Sequence, residues 1–206
     1  MHAIAIVLVP ALVASVTFGG SAGAQSGQPP AGTYVLDPPH TFVLFAAQHL
    51  VVGMVRGRFD KVSGTLVVAK NPADCSVDVT IDATSLSTQN SMRDDDLRGP
   101  DFFDAAKNPT ATYRGHGVRR AGKGWIVDGT LTIRGVSKVV PLTFAFNGIA
   151  PAEAGKPVRI AFRATAATKR ADFGMTRDLL SEIGPKAKGA DVWLEIDAEA
   201  LATAHP

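Results

Sequence analysis

The sequence has little of several things, and each shortage excludes a class of protein. It contains a single cysteine, Cys75, among 206 residues. No disulfide can therefore form within the chain, and the fold depends on its own hydrophobic core. The formal net charge is only +2, and no block of like charge runs through the chain. Binding to nucleic acid needs a basic stripe, so we expect no nucleic acid partner.

The sequence also lacks a hydrophobic segment well suited to crossing a membrane. The apolar stretch from Ala3 to Phe18 is short for a membrane span and contains Pro10. The small-residue pattern Ala22-x-Ala24 follows it, which is typical of a signal peptidase site. We predict that residues 1–24 are a cleaved signal peptide and that the protein is exported. An uncleaved anchor is the alternative, because Met1-His2 supplies no Lys or Arg ahead of the apolar run.

Motifs for catalysis, nucleotide binding and metal binding are missing. Residues 135–139 (GVSKV) lack the second glycine of a nucleophile elbow. Residues 117–124 resemble a phosphate-binding loop, but Gly124 stands where Ser or Thr would reach magnesium. His40 and His49 would lie on opposite faces of one strand, which does not favour shared metal ligation. We predict a protein that is not an enzyme and uses no cofactor or metal.

One acidic segment begins like a calcium-binding loop. Asp94 and Asp96 have the right spacing, but Arg98 occupies the fifth position and Ala105 replaces the bidentate glutamate. We interpret this segment as a solvated acidic turn near a helix N-terminus, where aspartates are favoured.

What the sequence has in abundance is the alternation typical of β-strands. Val77, Val79 and Ile81 alternate with polar residues, as expected for a half-buried strand. The same period of two continues in residues 42–49, 130–134, 142–146, 158–165 and 192–196. Turn signals separate these runs at Gly57 with Asp60-Lys61, at residues 70–74 and at residues 121–124. About eight strands of this kind predict an antiparallel sandwich or barrel.

Two segments do not fit a strand. Residues Ser91 to Lys107 and Gly174 to Ala190 are polar, with apolar residues at helical spacing. We predict one or two short helical segments here, which would act as lids or plugs on a barrel.

Four stretches of the chain carry a family resemblance. They are Tyr34–Thr41 (YVLDPPHT), the patterned segment 93–109, residues 129–138 (GTLTIRGVSK) and residues 169–175 (KRADFGM). Together they resemble the YceI family of periplasmic, lipocalin-like proteins that bind polyisoprenoid lipids. The sequence departs from that family at Asp96, where His is usual, and at Gly99 and Thr41, where Ser is usual.

The resemblance implies an architecture and a ligand. It implies an all-β fold, an eight-stranded antiparallel lipocalin-like barrel over residues 33–200 with a helical segment over it. Residues 25–32 would then be a linker and residues 201–206 a C-terminal tail. It also implies a periplasmic location and a long narrow cavity for a polyprenyl or quinone-like chain.

Strand phase and family position together nominate the residues of the cavity. The expected apolar lining comprises Val43, Phe45, Phe59, Leu66, Val79, Ile81, Leu97, Phe102, Phe103, Tyr113, Leu131, Phe144, Phe162, Phe173 and Leu194. For the polar head group of the lipid we nominate His49, Arg93, Arg170 and Asp172. His49 is in phase with the inward residues of its strand, which predicts a hydrogen-bonded interior histidine or a head-group contact. Pairing of Arg93 with Asp94, and of Arg170 with Asp172, would give these charges a structural role instead.

Two rival functions stay open at this stage. The barrel could be packed solid and act in stress or in protein interaction, with Phe42, Leu44 and Trp193 on a partner surface. A lipid-modifying enzyme is the other, although His49 is the sole candidate for its acid–base group. Homodimerisation and a transient membrane contact are open as well.

Overall fold

Alternating apolar and polar residues form twelve strands in the part of the chain that the structure describes. A computed structural model of the chain describes residues 28–150, 153–177 and 191–203. The strands are β1 Gly32–Leu36, β2 Phe42–His49, β3 Gly53–Phe59, β4 Val62–Val68, β5 Ser76–Asp82, β6 Leu86–Ser87, β7 Thr110–His116, β8 Arg119–Ala121, β9 Gly124–Ile133, β10 Val136–Ile149, β11 Arg159–Thr168 and β12 Val192–Ala202. The α-helix of these residues is α1, Ser91–Arg98.

Eight strand positions close into a barrel. The hydrogen-bonded order is β1-β4-β5-β7-β9-β10-β11-β12, and β12 pairs back to β1. Strands β2, β3 and β6 add no further positions around the barrel. Strand β2 continues the line of β1, β3 shares the line of β4, and β6 continues the line of β5. For example, β12 pairs with β1 through Ala200–Ala202 and with β2 through Val192–Asp197. All the pairings are antiparallel, so the predicted eight-stranded barrel is confirmed.

The barrel has two distinguishable ends. At what we call the upper end, β2 turns into β3, β9 turns into β10, and α1 lies between β6 and β7. At the lower end, β4 connects to β5 and β10 connects to β11. None of the helices within the described ranges combines the length and hydrophobicity that a membrane crossing needs.

The predicted helix in residues 91–107 is present as α1 and is tied firmly to the barrel. Its N-cap is Asn90, whose side chain accepts a hydrogen bond from the Arg93 backbone N–H at 3.0 Å. Asp94 is buried, and its carboxylate accepts hydrogen bonds from the backbone N–H and hydroxyl of Thr88 at 2.8 and 2.5 Å. The expectation of a solvated acidic turn is therefore wrong for Asp94, because this carboxylate joins the helix to the end of β6.

Arg98, which occupies the fifth position of the calcium-like pattern, also has a structural role. Its guanidinium donates hydrogen bonds to the carbonyl oxygens of Thr84 and Leu86 at 2.9 and 2.5 Å. These contacts fasten the C-terminal turn of α1 over β6. A positive side chain suits this position because it satisfies backbone carbonyl oxygens at a strand end.

Gly57 was expected to mark a turn, but it lies inside β3 opposite Phe45 of β2. A Cβ atom at this position would collide with the Phe45 ring and with Thr88. The glycine is needed because the aromatic ring crosses its neighbouring strand at close range. The turns expected at Asp60-Lys61 and at 70–74 fall between strands, and that at 121–124 joins the last residue of β8 to the first residue of β9.

Some predictions fall outside the described residues. These are the signal peptide at residues 1–24, most of the second predicted helical segment, from residue 178 to 190, and the last three residues of the tail.

Candidate ligand cavity

Two cavities bordered by described residues lie end to end in the barrel interior. The first has a volume of about 690 Å³ and the second about 300 Å³. Four apolar side chains border both of them, namely Val43, Ile81, Leu131 and Leu194. Both volumes fall in the range of ordinary small-molecule sites. The interior is therefore a long apolar space running towards both ends of the barrel.

The first cavity occupies the lower part of the barrel. Its wall consists of inward-facing aliphatic and aromatic residues of β4, β5 and β9 to β12. Two of these strands place Phe144 and Phe162 edge to face, with ring centroids 6.1 Å apart. The lower mouth is more polar, because Lys70, Lys123 and Asn147 border the cavity there.

The second cavity lies under α1 at the upper end. An aromatic series crosses it, since Phe59 packs against Phe45 and against Phe103 with centroid distances of 5.6 Å in each case. Leu97 of α1 also faces this space, together with the buried Phe173. The helix and the residues after β11 thus line the upper end with apolar side chains.

All the nominated apolar residues border one of the two cavities. Those on the first cavity alone are Leu66, Val79, Tyr113, Phe144 and Phe162. Those on the second alone are Phe45, Phe59, Leu97, Phe102, Phe103 and Phe173. Val43, Ile81, Leu131 and Leu194 border both. Contact of these residues with a ligand remains a prediction.

The nominated polar residues separate into two groups. His49, Arg93 and Arg170 border the second cavity at the upper end, whereas Asp172 is exposed and lies outside the lining of both cavities. His49 is also exposed, and this corrects the expectation of an interior histidine. It is the last residue of β2 and lies opposite Gly53, so the barrel wall ends at its side chain.

Arg170 has a different partner from the one expected. Its Nε lies 2.7 Å from Asp191 Oδ2, and its backbone N–H donates to Asp191 Oδ1 at 2.9 Å. The two side chains are only 12% and 3% exposed, so this ion pair is buried. Arg170 Nη2 also donates to the carbonyl oxygen of Gln48 at 3.3 Å. The pair therefore joins β12 and β2 at the upper mouth, and the expected pairing with Asp172 is wrong.

Two further arginines lie at this mouth. Arg93 donates from Nε to the Thr88 hydroxyl at 2.7 Å and from Nη2 to the Thr88 carbonyl oxygen at 3.0 Å. Arg177, which sequence reasoning missed, lies 2.7 Å from Asp96 and 3.2 Å from Asp101. No sequence signal marks Arg177, because its pairing depends on the fold bringing residues 96 and 177 together.

Sequence reasoning also missed part of the first cavity. Its wall includes Trp125, Val127, Val140 and Leu142, on β9 and β10. Trp125 and Val127 continue the inward phase of Leu131, so extending that alternation back along β9 would have found them.

The polar atoms inside the barrel are satisfied by protein partners. The Tyr113 hydroxyl accepts the Gly129 N–H at 3.1 Å and lies 3.0 Å from the Val140 carbonyl oxygen. Burial raises the pKa of Tyr113 to about 12, so this phenol stays protonated at neutral pH. No buried side-chain nitrogen or oxygen in the described ranges lacks a hydrogen-bond partner. The cavity wall thus offers a ligand mainly apolar contact.

One cluster has the composition of a metal site. The potential ligand atoms of Asp37, His40 and Glu199 lie within 4.8 Å of one another. Arg159 already lies between these carboxylates, with Nη1 2.5 Å from Asp37 and 2.5 Å from Glu199. A guanidinium in that position satisfies the carboxylates, and we interpret the cluster as an ion-pair network.

Comparison with known proteins gives consistent matches in sequence. The model of the YceI-like domain family matches residues 34–200. A UPF0312 protein of Pseudomonas aeruginosa is 34% identical over 181 residues, which cover 86% of this chain and 92% of that protein.

Solved structures with the same fold include two that bear on this site. The YCEI protein of Campylobacter jejuni has a TM-score of 0.62 and 31% identity, covering 76% of this chain and 90% of its own. A polyisoprenoid binding domain from Saccharophagus degradans has a TM-score of 0.60 at 17% identity, covering 84% of this chain and 99% of its own. The second likeness is one of fold.

Proposed function

Because the chain belongs to the YceI-like family, we propose that it is a non-catalytic carrier or store for an isoprenoid lipid. The bound part would be the hydrocarbon chain of a polyprenyl or quinone-like molecule, lying inside the barrel. The observation that supports this most directly is the pair of apolar cavities that meet end to end at Val43, Ile81, Leu131 and Leu194. The polyisoprenoid binding described for the Saccharophagus degradans domain of the same fold is consistent with it.

The binding energy would come from removing hydrocarbon from water. Each buried methylene contributes roughly 0.8 kcal/mol, so one isoprene unit contributes about 3 kcal/mol before the costs of immobilising the chain. A few units inside the barrel would give tight binding. Because the buried polar side-chain atoms of the described residues already have partners, recognition would depend on the length and girth of the chain.

The lipid head group would lie at the upper mouth. His49 and Arg93 border the second cavity there, and the Arg93 guanidinium is held by hydrogen bonds to Thr88. Arg170 would act mainly by shaping the mouth, since its charge is balanced by Asp191. Asp172 is the weakest of the four nominated residues, because it is exposed and outside the lining.

A binding role fits the cavity better than catalysis. General acid–base chemistry needs a titratable group in the cavity with a pKa near the working pH. Tyr113, with a pKa of about 12, is far from that condition, and His49, the acid–base candidate from the sequence, lies at the exposed rim of the second cavity. We also propose that residues 1–24 direct export and that the carrier works in the periplasm.

The first test is native mass spectrometry of the protein purified from its own cells, followed by organic extraction. We expect an adduct of lipid mass that extracts as an isoprenoid. An apo mass, together with no uptake of added polyprenol or ubiquinone, would mean that the interior does not accept a chain. The carrier proposal would then be abandoned for the packed-barrel alternative.

Two neighbouring alanines on β11 provide a matched pair of variants. Ala166 borders the first cavity, whereas Ala167 is exposed on the outer face of the barrel. Ala166→Phe should lower polyprenol uptake at least tenfold, because the ring fills the space the chain needs. Ala167→Phe should leave uptake unchanged. Equal uptake by the two variants, both folded by circular dichroism, would contradict binding in the first cavity.

A further inference from the structure

We propose that the upper mouth of the barrel docks on an anionic lipid bilayer through an apolar hairpin tip, Leu50, Val51 and Val52. These three residues form the turn between β2 and β3. The inference extends the proposed carrier function but does not require it, because docking and cavity filling are measured separately.

The tip is far more apolar than a hairpin turn in water needs to be. Val52 is 93% exposed, and Leu50 and Val51 are each about half exposed. Turns are normally built from Gly, Asn, Asp, Ser and Pro, which suit the backbone and are well hydrated. Three consecutive exposed aliphatic residues are costly in solvent, and they suit a surface that enters the apolar part of a bilayer interface.

The backbone conformation of the tip adds to the evidence that its apolar residues have a binding role. Leu50 and Val51 have φ angles of +48° and +64°, in the left-handed region that Gly and Asn tolerate best. A β-branched residue such as Val51 is uncommon there. Glycine or asparagine would relieve the backbone and improve solubility at once, so the retained apolar side chains point to a binding role.

The tip stands on a firmly held base. Gln48 Nε2 donates to the Val51 carbonyl oxygen at 3.2 Å, and the Gln48 backbone N–H donates to the Asp191 carbonyl oxygen at 3.0 Å. The buried Arg170–Asp191 pair holds the Gln48 carbonyl from the other side. Apolar side chains on a constrained turn lose little conformational freedom when they enter another phase.

The surface beside the tip matches a bilayer interface. Met54 and Trp193 are exposed on the outer faces of β3 and β12, and an indole is well suited to the headgroup level of a bilayer. Ala46 pairs in register with Arg56 on one side and with Trp193 on the other, so these three residues form a row across the outer wall.

The charges near the tip favour an anionic surface. Arg56 and Lys169 are exposed, and neither has an ion-pair partner among the described residues. Of the nearby carboxylates, Asp96 and Asp101 are paired with Arg177, and Asp191 with Arg170. Asp172 and Glu195, the latter two residues along β12 from Trp193, are exposed carboxylates that oppose this balance. Exposed Lys and Arg beside an apolar anchor strengthen attachment to anionic lipids.

The tip directly follows two residues that line the second cavity. Gln48 and His49, which directly precede the tip, line the second cavity, and so does Lys169. Docking through residues 50–52 would therefore bring the upper mouth to the membrane surface. A lipid chain could then move between bilayer and barrel with less exposure to water.

The test measures co-sedimentation with vesicles of phosphatidylcholine containing phosphatidylglycerol. The test variant is Val52→Asn, and the matched control is Val139→Asn, because Val139 is an aliphatic residue 69% exposed on β10. We expect Val52→Asn to lower the partition coefficient at least fivefold and Val139→Asn to leave it unchanged. High salt, or vesicles of phosphatidylcholine alone, should also weaken binding.

Three results would overturn the inference. The unaltered protein could fail to bind vesicles, the two variants could lose binding equally, or Val52→Asn could abolish a dimer without any vesicle binding. The last result would assign the tip to self-association. A second measurement separates this inference from the carrier proposal. Polyprenol is added to the protein from ethanol, and native mass spectrometry of the protein measures its uptake. Docking without uptake would reject the carrier alone, and uptake without docking would reject the tip alone.

Discussion

The two hairpins at the upper end of the barrel each contain two consecutive residues at positive φ, in a three-residue turn between β2 and β3 and a two-residue turn between β9 and β10, and they differ in chemistry. Between β9 and β10, Arg134 and Gly135 have φ angles of +53° and +73°, between the paired residues Ile133 and Val136. A polar residue followed by glycine suits that conformation and water alike. Between β2 and β3, Leu50 and Val51 take similar angles with aliphatic side chains. For residues other than glycine this conformation costs roughly 1–2 kcal/mol each.

This difference in residue type separates a turn explained by hairpin formation from one that is not. The Arg134-Gly135 turn has residues that a β-hairpin requires, and it needs no further explanation. The Leu50-Val51 turn is locally unfavourable and is stabilised from outside, through Gln48 and the Arg170–Asp191 pair. Local conflict of this kind is expected at functional sites, where the rest of the fold compensates for it.

The largest predicted effect concerns the ion pair that supports the apolar hairpin. Asp191→Asn should destabilise the fold by about 3–5 kcal/mol, because Arg170 would remain buried without its counter-charge. Urea unfolding followed by circular dichroism measures this. The control is Asp197→Asn in the exposed Arg163–Asp197 pair, where a loss of about 0–1 kcal/mol is expected.

A double replacement distinguishes pairing from packing at this position. Arg170→Met combined with Asp191→Leu removes both charges together, and it should be much less destabilising than Asp191→Asn alone. If the double variant loses as much stability as the single one, the pair matters for shape rather than for charge. The charge of the pair would then not be what stabilises the β2–β3 hairpin, and the contrast with the β9–β10 hairpin would be weaker.

Residue patterns predicted the barrel strands because strand periodicity is local. Residues 77–81 alternate between faces, and that alternation depends only on the backbone of one strand. The same phase, guided by the family resemblance, placed Phe45, Phe144 and Phe162 on the inner wall. Closure between β1 and β12 depends on two ends of the chain meeting, which no local pattern encodes.

The polar residues of the mouth were harder to predict for the same physical reason. Asp172 was nominated for the lipid head group, with pairing to Arg170 as the structural alternative, but Asp191 is the residue that the fold brings to Arg170. His49 has the inward phase of β2, yet the strand ends at that residue and leaves it at the rim. Gly57 resembles a turn residue until the Phe45 ring that lies against it is known.

Exchanging the two turns tests the comparison directly. Leu50→Asn with Val51→Gly should raise the free energy of unfolding by about 1–2 kcal/mol, because the new residues accept positive φ. The reverse change, Arg134→Leu with Gly135→Val, should lower it by a similar amount or more. Urea unfolding of both double variants measures the pair of effects.

The sign of each change is the informative result. A stabilised Asn-Gly variant that no longer binds vesicles would show that the tip retains strain for the sake of binding. No gain in stability from Leu50→Asn with Val51→Gly would mean that the Gln48 contact and neighbouring packing already remove the strain. In that case the two hairpins would differ in exposure alone.

The smallest predicted effect lies far from the apolar hairpin, in the network of Asp37, Arg159 and Glu199. The hydrogen bond from Arg159, followed by that from His40, holds the pKa of Asp37 below its ordinary value of 3.8. A carboxyl with a lowered folded-state pKa stabilises the fold above its unfolded-state pKa, and this contribution is lost as pH falls through the folded-state value. Asp37→Asn should therefore flatten the decline in stability below about pH 4, by less than about 1 kcal/mol because Arg159 is partly exposed. Urea midpoints measured from pH 2 to pH 7 test this, with Asp78→Asn in the exposed Arg114 pair as the control. If both variants follow the unaltered protein throughout, the acid sensitivity of the fold does not arise in this network.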